Sequence, residues 1–404
     1  MPNPLQAKSI ALGVSGSIAC YKAIDLASKM VQLGASVNVM MSKAATQFVS
    51  PITFASITHR PVATNLFDPK SEISIDHVSI AENSDIIVIA PATAQTIAKL
   101  SLGLADDVLT TTVLASKAPV IVCPAMDAHM YDNPVTQHNL SLLASRGVRI
   151  AGPAEGHLAS GLIGMGRLIE TEEILSHIRN ILGISKGPLA QRKIVITAGG
   201  TQENIDPVRF ISNKSSGKMG YAVAEAARDQ GADAVVIAAH TTLQPPTGVR
   251  VIDVQSAKDM KTAVFAECED ADALIMAAAV ADWRPTNESK SKLKKEDKTS
   301  LSIELERTDD ILAEINRDNL IKVGFAAESE NLLENARKKI TSKKLDLIVA
   351  NDITVDGSGF GSDTNKVTLI DSQENISELD LMPKYEVSCQ ILRRVASFLE
   401  THSL

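Results

Sequence analysis

Aromatic side chains are scarce in this chain, in which only 3% of 404 residues are Phe, Trp or Tyr. The core is therefore expected to be filled mainly by Ala, Val, Ile and Leu, as in proteins built on parallel sheets. Cysteine is also rare, and no two of the four form a Cys-x-x-Cys pair. Because each lies in an apolar pattern typical of a buried, reduced thiol, neither a disulfide framework nor a zinc site is expected at Cys20, Cys123, Cys268 or Cys389.

The sequence also lacks an excess of positive charge and long apolar runs. The formal net charge is -8 and the pI is about 5.6, which argues against a general nucleic-acid-binding protein. No apolar run approaches the length of a membrane span, and the N-terminal residues lack the basic-then-apolar layout of a signal peptide. The expected location is the cytoplasm.

The order of apolar segments predicts an α/β protein with two parallel sheets. A chain of 404 residues exceeds what one hydrophobic core usually fills. Short apolar runs alternate with amphipathic stretches, which is the pattern of βαβ units. The predicted strands are Ser9–Val14, Val37–Met41, Asp85–Ala90 and Pro119–Cys123, then Ile194–Thr197, Ala234–Ala238, Val249–Val254, Ala273–Ala278, Ile321–Phe325 and Asp346–Ala350. The alternation breaks at the segment 183–192, so we predict domains at 1–182 and 193–404 with a linker between them.

The turn after the first predicted strand is a candidate phosphate site. It contains Gly13, Ser15, Gly16 and Ser17, whose backbone N–H groups and hydroxyls would face an anion at the positive end of the next helix. The spacing is not Gly-x-Gly-x-x-Gly, which argues against dinucleotide binding. Ser42, after the next strand, is either a further hydroxyl at this site or a helix N-cap.

Two other segments follow strands of the same predicted sheet. Pro91, Ala92 and Thr93 come at the carboxyl end of a buried strand, where ligands of open α/β sheets bind and where small residues admit a flat ring. The segment Pro-Ala-Met-Asp at 124–127, continued by Met130 and a tyrosine, occupies the equivalent place after the next strand. The two segments are therefore expected at one edge of the sheet.

The segments GVSGSIACYKA, DHVSIAE, APATA and PAMDxxMY together resemble the flavin-dependent decarboxylases of peptidyl- or pantothenoyl-cysteine, over residues 8–180. The resemblance implies a flavodoxin-like domain of the HFCD flavoprotein type, with FMN held by the phosphate turn and the Pro-Ala-Thr-Ala segment. It makes His77, which taken alone is more often structural than catalytic, the active-site base. It also assigns the substrate carboxylate to the segment with Asp127 and Met130. The flavin would supply the electron sink for loss of CO2, while the protein orients the substrate and moves protons.

Two residues depart from that family's pattern. Asp127 stands where relatives have Asn, and Ser160 stands where they have the Cys that supplies the proton for the final reduction of the enethiol. A hydroxyl is far less acidic than a thiol, and an ionised Asp127 would repel the substrate carboxylate. We therefore hypothesise that Asp127 is held protonated and takes over part of the missing role, in which case replacement by Asn abolishes turnover. The alternative is a first domain that stops at the enethiol or has lost decarboxylation.

The second half presents a dense set of anion-binding groups. A strand runs into a glycine-rich turn, and the segment 206–220 then places two glycines, two serines, an Asn and two lysines before a helix. The spacing is not that of a Walker A loop, and an ordinary β–α loop is the alternative. Asp282 ends a later strand and either binds a metal or nucleotide or caps a helix. Lys339 and Lys343 share a helix face, where solvated lysines are the alternative.

Together ITAGGT, DPVRFISNKSSGKMG, AAAVADW, KLKK, GFAAE and LDLIVAND resemble phosphopantothenate–cysteine ligase through most of residues 192–370. The resemblance implies a Rossmann-like parallel-sheet domain in which CTP activates phosphopantothenate as an acyl-cytidylate that cysteine attacks, with Mg²⁺ bridging the triphosphate. Asn213 would hold the acyl-cytidylate. Lys292, in a lysine-rich segment whose composition alone favours a solvated loop, would stabilise charge on the phosphates. The remaining substrate contacts would be Asp282, Asp309, Asp310, Ile311, Leu312, Phe325, Lys339 and Lys343.

One of these positions departs from the pattern, since relatives tend to have Pro where Asp309 stands, and the backbone there is expected to help read the base. The sequence does not identify the ligands of Mg²⁺. In bacterial relatives the ligase follows the flavin-dependent decarboxylase in this order, so the chain as a whole resembles the bifunctional enzymes of coenzyme A biosynthesis. The expected sequence of reactions converts 4′-phosphopantothenate and cysteine to 4′-phosphopantetheine.

The expected oligomeric state follows from the resemblance alone. It implies a homo-oligomer with trimeric flavin domains and dimeric ligase domains, and no nucleic acid or membrane is expected. A second hypothesis keeps the ligase but makes the first domain a flavin-binding structural or regulatory module. A third, a nicotinamide dehydrogenase, fails because the glycine fingerprint is absent.

Overall fold

The structure is a computed structural model that describes residues 4–66, 76–293, 301–328, 332–352, 357–359 and 361–402. The chain divides into two compact units between Leu182 and Gly183. Each unit is built on its own sheet and has its own hydrophobic cores.

The first unit contains a five-stranded parallel sheet and a separate hairpin. The strands are β1 Ser9–Val14, β2 Ser36–Met41, β3 Ile86–Ala92, β4 Val120–Pro124, β5 Arg149–Ile150, and the hairpin pair β6 Ala154–His157 and β7 Ile163–Arg167. The spatial order β2-β1-β3-β4-β5 is that of flavodoxin-like sheets, which confirms the predicted fold. In such sheets the ligand crevice lies where the strand order reverses, here between β1 and β3.

Helices cover both faces of this sheet. Alternate residues of β3 enter different cores, with Ile86 and Val88 in one and Ile87 and Ile89 in the other, because successive side chains of a strand point to opposite faces. Both cores are almost free of aromatic side chains, as the composition predicts. The helices are α1 Cys20–Gln32, α2 Pro51–Thr58, α3 Asp76–Asn83, α4 Ala94–Leu102, α5 Val108–Ala115, α6 Ala128–Asp132, α7 Pro134–Ser145 and α8 Thr171–Lys186.

The second unit contains an eight-stranded sheet and two hairpins. The sheet strands are β8 Lys193–Ala198, β11 Asp233–Ala238, β12 Arg250–Asp253, β13 Ala273–Met276, β16 Ile321–Glu328, β17 Leu347–Asp352, β18 Thr364–Asp371 and β19 Ile376–Pro383, and the hairpins are β9 Gln202–Asp206 with β10 Arg209–Ser212, and β14 Trp283–Pro285 with β15 Leu305–Arg307. The six parallel strands lie in the order β12-β11-β8-β13-β16-β17, the Rossmann order, whose crevice lies between β8 and β13. Each of the ten predicted strands is present: β1 has the predicted ends, and the other nine are shifted at one or both ends.

The far edge of this sheet is not parallel. β18 and β19 extend it as antiparallel strands after β17, which the sequence analysis does not predict. The outer strand β19 is largely exposed and has no residue that is fully buried, so it carries little apolar signal. The helices of this unit are α9 Lys218–Asp229, α10 Ala257–Glu267, α11 Ile311–Glu314, α12 Leu332–Lys343 and α13 Lys384–His402.

Part of the segment 183–192, which was predicted as a linker, is helical. α8 continues through Lys186, and Leu189 is fully buried in a core of the second unit. Gly183 and Gly187 approach the backbone of 229–231 so closely that a Cβ at either position would lie within 2.3 Å of a carbonyl oxygen. These glycines therefore serve close packing, which composition alone does not distinguish from flexibility.

Local residues account for two of the helix boundaries. Gly34 has a φ of +84° after the end of α1, and Asn133 caps α7 by accepting the N–H of Val135 at 2.9 Å. Three of the four free cysteines are buried and Cys389 is half-buried. Of the helices in the described part of the chain, none combines the length and the apolar content that crossing a membrane requires.

Candidate active sites

The first candidate site lies at the carboxyl edge of the five-stranded sheet. The turn after β1 leads into α1, whose N-cap residue Ala19 provides no side-chain cap and whose first turn has no acidic residue. Gly16 packs against the neighbouring strand's loop, where a Cβ would lie 2.4 Å from the Cβ of Ala44. An uncapped helix N-terminus beside a glycine turn, at the point of strand reversal, fits the phosphate of a mononucleotide such as FMN.

The hydroxyls of this turn have structural partners. Ser15 is buried, donates from Oγ to the carbonyl oxygen of Pro91 at 2.7 Å and accepts the N–H of Thr93 at 2.9 Å. The Ser15 hydroxyl thus joins the ends of β1 and β3, and its contact with a phosphate stays a prediction. Ser17 accepts the N–H of Ala19 at 3.3 Å. In this bond Ser17 only accepts, so its O–H can still donate to an anion beside the backbone N–H groups of the turn.

The other residues predicted here also lie at the ends of their strands. Ser42 follows β2 and accepts the N–H of Ala45 at 3.2 Å, at the start of the short helical turn Ala45–Gln47, whose N-cap position is Ala44. Ala92 ends β3 and is fully buried, and Thr93 caps α4 by accepting the N–H of Thr96 at 3.3 Å. The sequence therefore indicated that these residues lie at the ends of their strands, but it did not indicate their hydrogen-bond partners.

Asp127 and Ser160, the two departures from the decarboxylase pattern, contact each other. Ser160 in the β6–β7 turn donates from Oγ to Oδ2 of Asp127 at 2.6 Å, and Asp127 caps α6 by accepting the N–H of His129 at 3.0 Å. Both hydrogen bonds, that from Ser160 first, hold the pKa of Asp127 below its usual range. This arrangement contradicts a protonated Asp127 in the free protein, because its two donors stabilise the carboxylate. Met130 lies one turn further along α6 and is about half exposed.

His77 is the second residue of α3, a helix that packs against α5. Its Nδ1 is buried and has no hydrogen-bond partner among the described residues. An unpartnered buried nitrogen costs free energy in the free protein, which a ligand or substrate that supplies a partner would recover. The imidazole therefore fits a functional role better than the structural role that a lone histidine usually has.

The second candidate site lies at the crevice between β8 and β13. Two threonine hydroxyls from β8 and the turn after it hold the chain that leaves β13: Thr197 Oγ1 accepts the N–H of Ala278 at 3.1 Å, and Thr201 Oγ1 accepts the N–H of Ala281 at 2.9 Å. The sequence analysis did not single out these threonines, although their position at a strand end was the available signal. They fix the path of the segment that carries Asp282.

Asn213 is brought to this segment. It follows β10, and its Nδ2 donates to the carbonyl oxygen of Val280 at 3.0 Å. Asp282 is exposed two residues further on, and its carbonyl accepts the N–H of Thr308 at 3.0 Å. Asn213, Asp282 and the residues after β15 therefore meet at one edge of the sheet, as the predicted nucleotide site requires.

The two aspartates after β15 are held by lysines from different helices. Asp309, the departure from the ligase pattern, accepts from Lys261 of α10 at 2.7 Å, and Asp310 pairs with Lys343 of α12 at 2.9 Å. Asp310 also caps α11 through the N–H of Ala313. Lys261 holds the pKa of Asp309 below its usual range, and it also pairs with Glu314 at 2.6 Å, so this departure is an ionised group that shares its cation. The sequence analysis did not find Lys261, since no motif marks it.

The remaining predicted residues divide into buried and surface positions. Ile311 and Leu312 are buried in a core, so any contact they make with a nucleotide must come from their backbone, as expected. Phe325 lies on β16 and packs partly against the other core of this unit, while Lys339 lies one turn before Lys343 on α12. Lys292 is exposed on the connection between β14 and β15, and Lys294 and Lys295 of the same motif lie outside the described residues. Within the described ranges no three His, Cys, Asp or Glu side chains converge as a metal site.

The two sheets and their edges define a mononucleotide-binding domain of flavoprotein type joined to a Rossmann-ordered domain with an anion-binding edge. Residues 2–183 match the flavoprotein family, and residues 189–399 match the family described as DNA/pantothenate metabolism flavoprotein C-terminal domain. The chain is 46% identical to the coenzyme A biosynthesis bifunctional protein CoaBC of Bacillus subtilis, over 97% of this chain and 98% of the relative, and 41% identical to that of Escherichia coli, over 90% and 91%. The chain therefore belongs to the CoaBC family of bifunctional coenzyme A biosynthesis enzymes.

One solved structure is also similar to part of this chain. The crystal structure of the C-terminal domain of a coenzyme A biosynthesis bifunctional protein CoaBC is 41% identical, with a TM-score of 0.46, and covers 54% of this chain and 100% of that domain.

Proposed function

We propose that the second unit ligates 4′-phosphopantothenate to cysteine at the expense of CTP, and that the first unit decarboxylates the product to 4′-phosphopantetheine with FMN. The observation that supports the proposal is the strand order of the two sheets, which is flavodoxin-like in the first unit and Rossmann-like in the second, so that each unit has its own nucleotide crevice. The two reactions are consecutive, because the ligation product is the substrate of the decarboxylation. The four free cysteines suit the reducing cytoplasm in which we propose that the enzyme works.

In the ligation the phosphopantothenate carboxylate attacks the α-phosphorus of CTP and pyrophosphate leaves. The amine of cysteine then attacks the acyl carbon and CMP leaves. Lys292 neutralises charge that develops on the phosphates, and the Asn213 amide, held by Val280, orients the acyl-cytidylate. We propose that Mg²⁺ accompanies the triphosphate, so that EDTA in excess stops ligation and added Mg²⁺ restores it.

In the decarboxylation the protein positions the substrate and moves its protons. Bound FMN would supply the two-electron oxidation that gives the departing carboxylate an electron sink. The backbone of the turn after β1 would hold its phosphate at the N-terminus of α1. The imidazole of His77, whose Nδ1 has no partner among the described residues, accepts a proton from the substrate. We propose that the start of α6 faces the substrate carboxyl group, with Met130 in contact and with the charge of Asp127 repelling it.

The proposal predicts the mass of the product. Purified protein incubated with phosphopantothenate, cysteine, CTP and Mg²⁺ is expected to yield 4′-phosphopantetheine, measured by mass spectrometry. Accumulation of phosphopantothenoylcysteine would leave a working ligase beside an inactive flavin domain. A product two hydrogens lighter than phosphopantetheine would show that the reaction stops at the enethiol. Consumption of none of the substrates would contradict the proposed function as a whole.

We also propose that the enzyme is a homo-oligomer with trimeric flavin domains and dimeric ligase domains. Large apolar side chains are exposed at the start of α1 and of α2, including Ile18 and Ile52, and these helices pack against each other. In the second unit the β9–β10 turn and hairpin expose Val208 and Phe210, and the neighbouring hairpin exposes Trp283. Exposed apolar groups of this size are typical of surfaces that a second copy covers.

The oligomer prediction can be tested by mass. The full chain has a mass of 43.0 kDa, and light scattering of the protein as it elutes from a size-exclusion column is expected to give a multiple of that mass. Phe210→Glu is expected to dissociate contacts between second units while leaving contacts between first units in place, since a buried unpaired charge is costly at an interface. Glu378→Gln, on the exposed strand β19, serves as a control that leaves the mass unchanged. A monomeric wild-type protein would contradict the proposal.

A further inference from the structure

Asp206 is a buried carboxylate at the end of β9 that binds its own turn. Its side chain is fully buried, and Oδ1 accepts the N–H groups of Val208 and Arg209 at 2.9 Å each. Oδ2 accepts the guanidinium of Arg209, through Nε at 3.0 Å and through Nη2. The guanidinium is the main cause that holds the pKa of Asp206 well below its usual range. Asp206 is therefore a carboxylate at neutral pH.

The same pair also holds both backbone groups of Leu293. The N–H of Leu293 donates to Oδ2 of Asp206 at 3.1 Å, and its carbonyl oxygen accepts from Nη2 of Arg209 at 2.9 Å. Leu293 lies directly after Lys292 in the long connection between β14 and β15. A residue whose N–H and carbonyl are both bound by one ion pair has little freedom, even though its neighbour Lys292 is exposed.

A second attachment lies just before Lys292. The N–H of Ser289 donates to the carbonyl oxygen of Ile205 at 3.0 Å, and the Ser289 hydroxyl donates to the carbonyl oxygen of Ser291 at 2.7 Å. Lys292 is therefore flanked on both sides by backbone bound to β9 or to the turn that follows it. A lysine side chain is long and has many rotamers, so fixing its backbone greatly reduces the volume that the ammonium group samples.

We infer that Asp206, together with Arg209, is a positioning residue of the ligase that sets the backbone from which Lys292 reaches the triphosphate. This inference rests on the proposed ligase function and adds to it a residue that acts through Lys292. The same hairpin continues into Asn213, which directly follows β10. One buried carboxylate thus fixes the separation between the two residues proposed to hold the phosphates and the acyl-cytidylate.

The test is a double-mutant cycle in the full-length protein loaded with FMN. Asp206→Asn keeps the size of the side chain but replaces the charged acceptor of Leu293 and Arg209. We expect kcat/KM for CTP to fall about tenfold while the KM for cysteine stays within about twofold. In a Lys292→Ala background, the same change is expected to have almost no further effect, because there is no ammonium left to position. The rate of pyrophosphate release is measured for the wild type, the two single variants and the double variant.

A second readout does not need ligase activity. Trypsin cleaves after Lys292 only when the backbone at Leu293 leaves its partners, so Asp206→Asn is expected to accelerate cleavage at this bond several-fold. Mass spectrometry of the fragments identifies the bond. If the wild-type protein ligates nothing, the proposed function fails, whereas the cleavage result still decides whether Asp206 holds the segment.

Glu203→Gln is the matched control on the same strand. Glu203 is buried and accepts the N–H of Ala257 at 2.8 Å, at the start of α10 and away from Leu293. We expect its ligase activity and its cleavage after Lys292 to remain within about twofold of wild type. If Asp206→Asn fails to fold, Arg209→Gln removes the other hydrogen bond to Leu293 from a side chain that is 43% exposed. Additive losses with Lys292→Ala, or unchanged cleavage after Lys292, would overturn the inference.

Discussion

Replacement of Lys292 by Gln is expected to lower kcat for CTP-dependent ligation about a hundredfold or more, because one charge-stabilising donor at a reacting phosphate contributes roughly that factor. The exposed side chain lies on a backbone held on both sides, so the loss is expected mainly in kcat rather than in the KM for cysteine. Pyrophosphate release under saturating substrates measures the effect. Decarboxylation of added phosphopantothenoylcysteine is expected to be unchanged, since that reaction belongs to the other unit.

Lys290→Gln provides the control for Lys292→Gln. Lys290 is exposed in the same connection and the change removes the same charge two residues away. A loss smaller than about twofold is expected, because a general attraction of the lysine-rich segment for CTP is screened at physiological salt. Equal losses in the two variants would show that the segment acts through its total charge and would contradict a specific role for Lys292.

The parts of the fold that were predicted correctly are those with strong apolar patterns. β1, β3 and β8 read as nearly continuous apolar runs because both faces of a parallel sheet are covered, and the structure buries almost every residue in them. The three hairpins carry no such signal. β15, for example, is exposed at each of its three residues, so its pairing with β14 depends on the backbone rather than on burial.

In the candidate sites, too, the position of some residues could be predicted from the sequence, whereas contacts between distant residues could not. Asn213 and Asp282 could be placed at one edge because each follows a strand or a turn whose position the sequence indicates. The contact between Ser160 and Asp127 could not be predicted, since it depends on the β6–β7 hairpin reaching the start of α6. The ion pair between Lys261 and Asp309 likewise joins residues on separate elements that no local spacing relates. Contacts between polar residues that are distant in the sequence leave no periodic pattern in it.

The protonation state of Asp127 changes what its replacement should do. Because Asp127 is ionised beside the position assigned to the substrate carboxylate, Asp127→Asn removes a like charge rather than an acid. The hypothesis of a protonated Asp127 requires the loss of turnover, whereas the structure predicts that turnover is kept. Asp132→Asn, at the exposed end of α6, controls for the change in charge alone.

Ser160→Cys is expected to speed the last step of the decarboxylation about tenfold or more, because a thiol with a pKa near 8.5 is a far stronger acid than a hydroxyl. In the wild-type protein the Ser160 proton points at the Asp127 carboxylate, which stabilises the hydroxyl form and makes it a still poorer acid. The measurement is a single-turnover reaction with phosphopantothenoylcysteine, in which mass spectrometry separates the enethiol from phosphopantetheine, two hydrogens heavier.

The double variant Ser160→Cys with Asp127→Asn is expected to reduce the enethiol faster than wild type by a factor larger than the product of the two single-variant factors. The carboxylate of Asp127 would raise the pKa of an adjacent thiol and would repel the substrate carboxylate, so its removal favours both proton donation and binding. Ser160→Ala separates the two contributions, since it frees Asp127 from its hydrogen bond without supplying an acid. If Ser160→Ala reduces the enethiol as fast as Ser160→Cys does, residue 160 is not the proton donor and the proton must reach the enethiol from another group or from water.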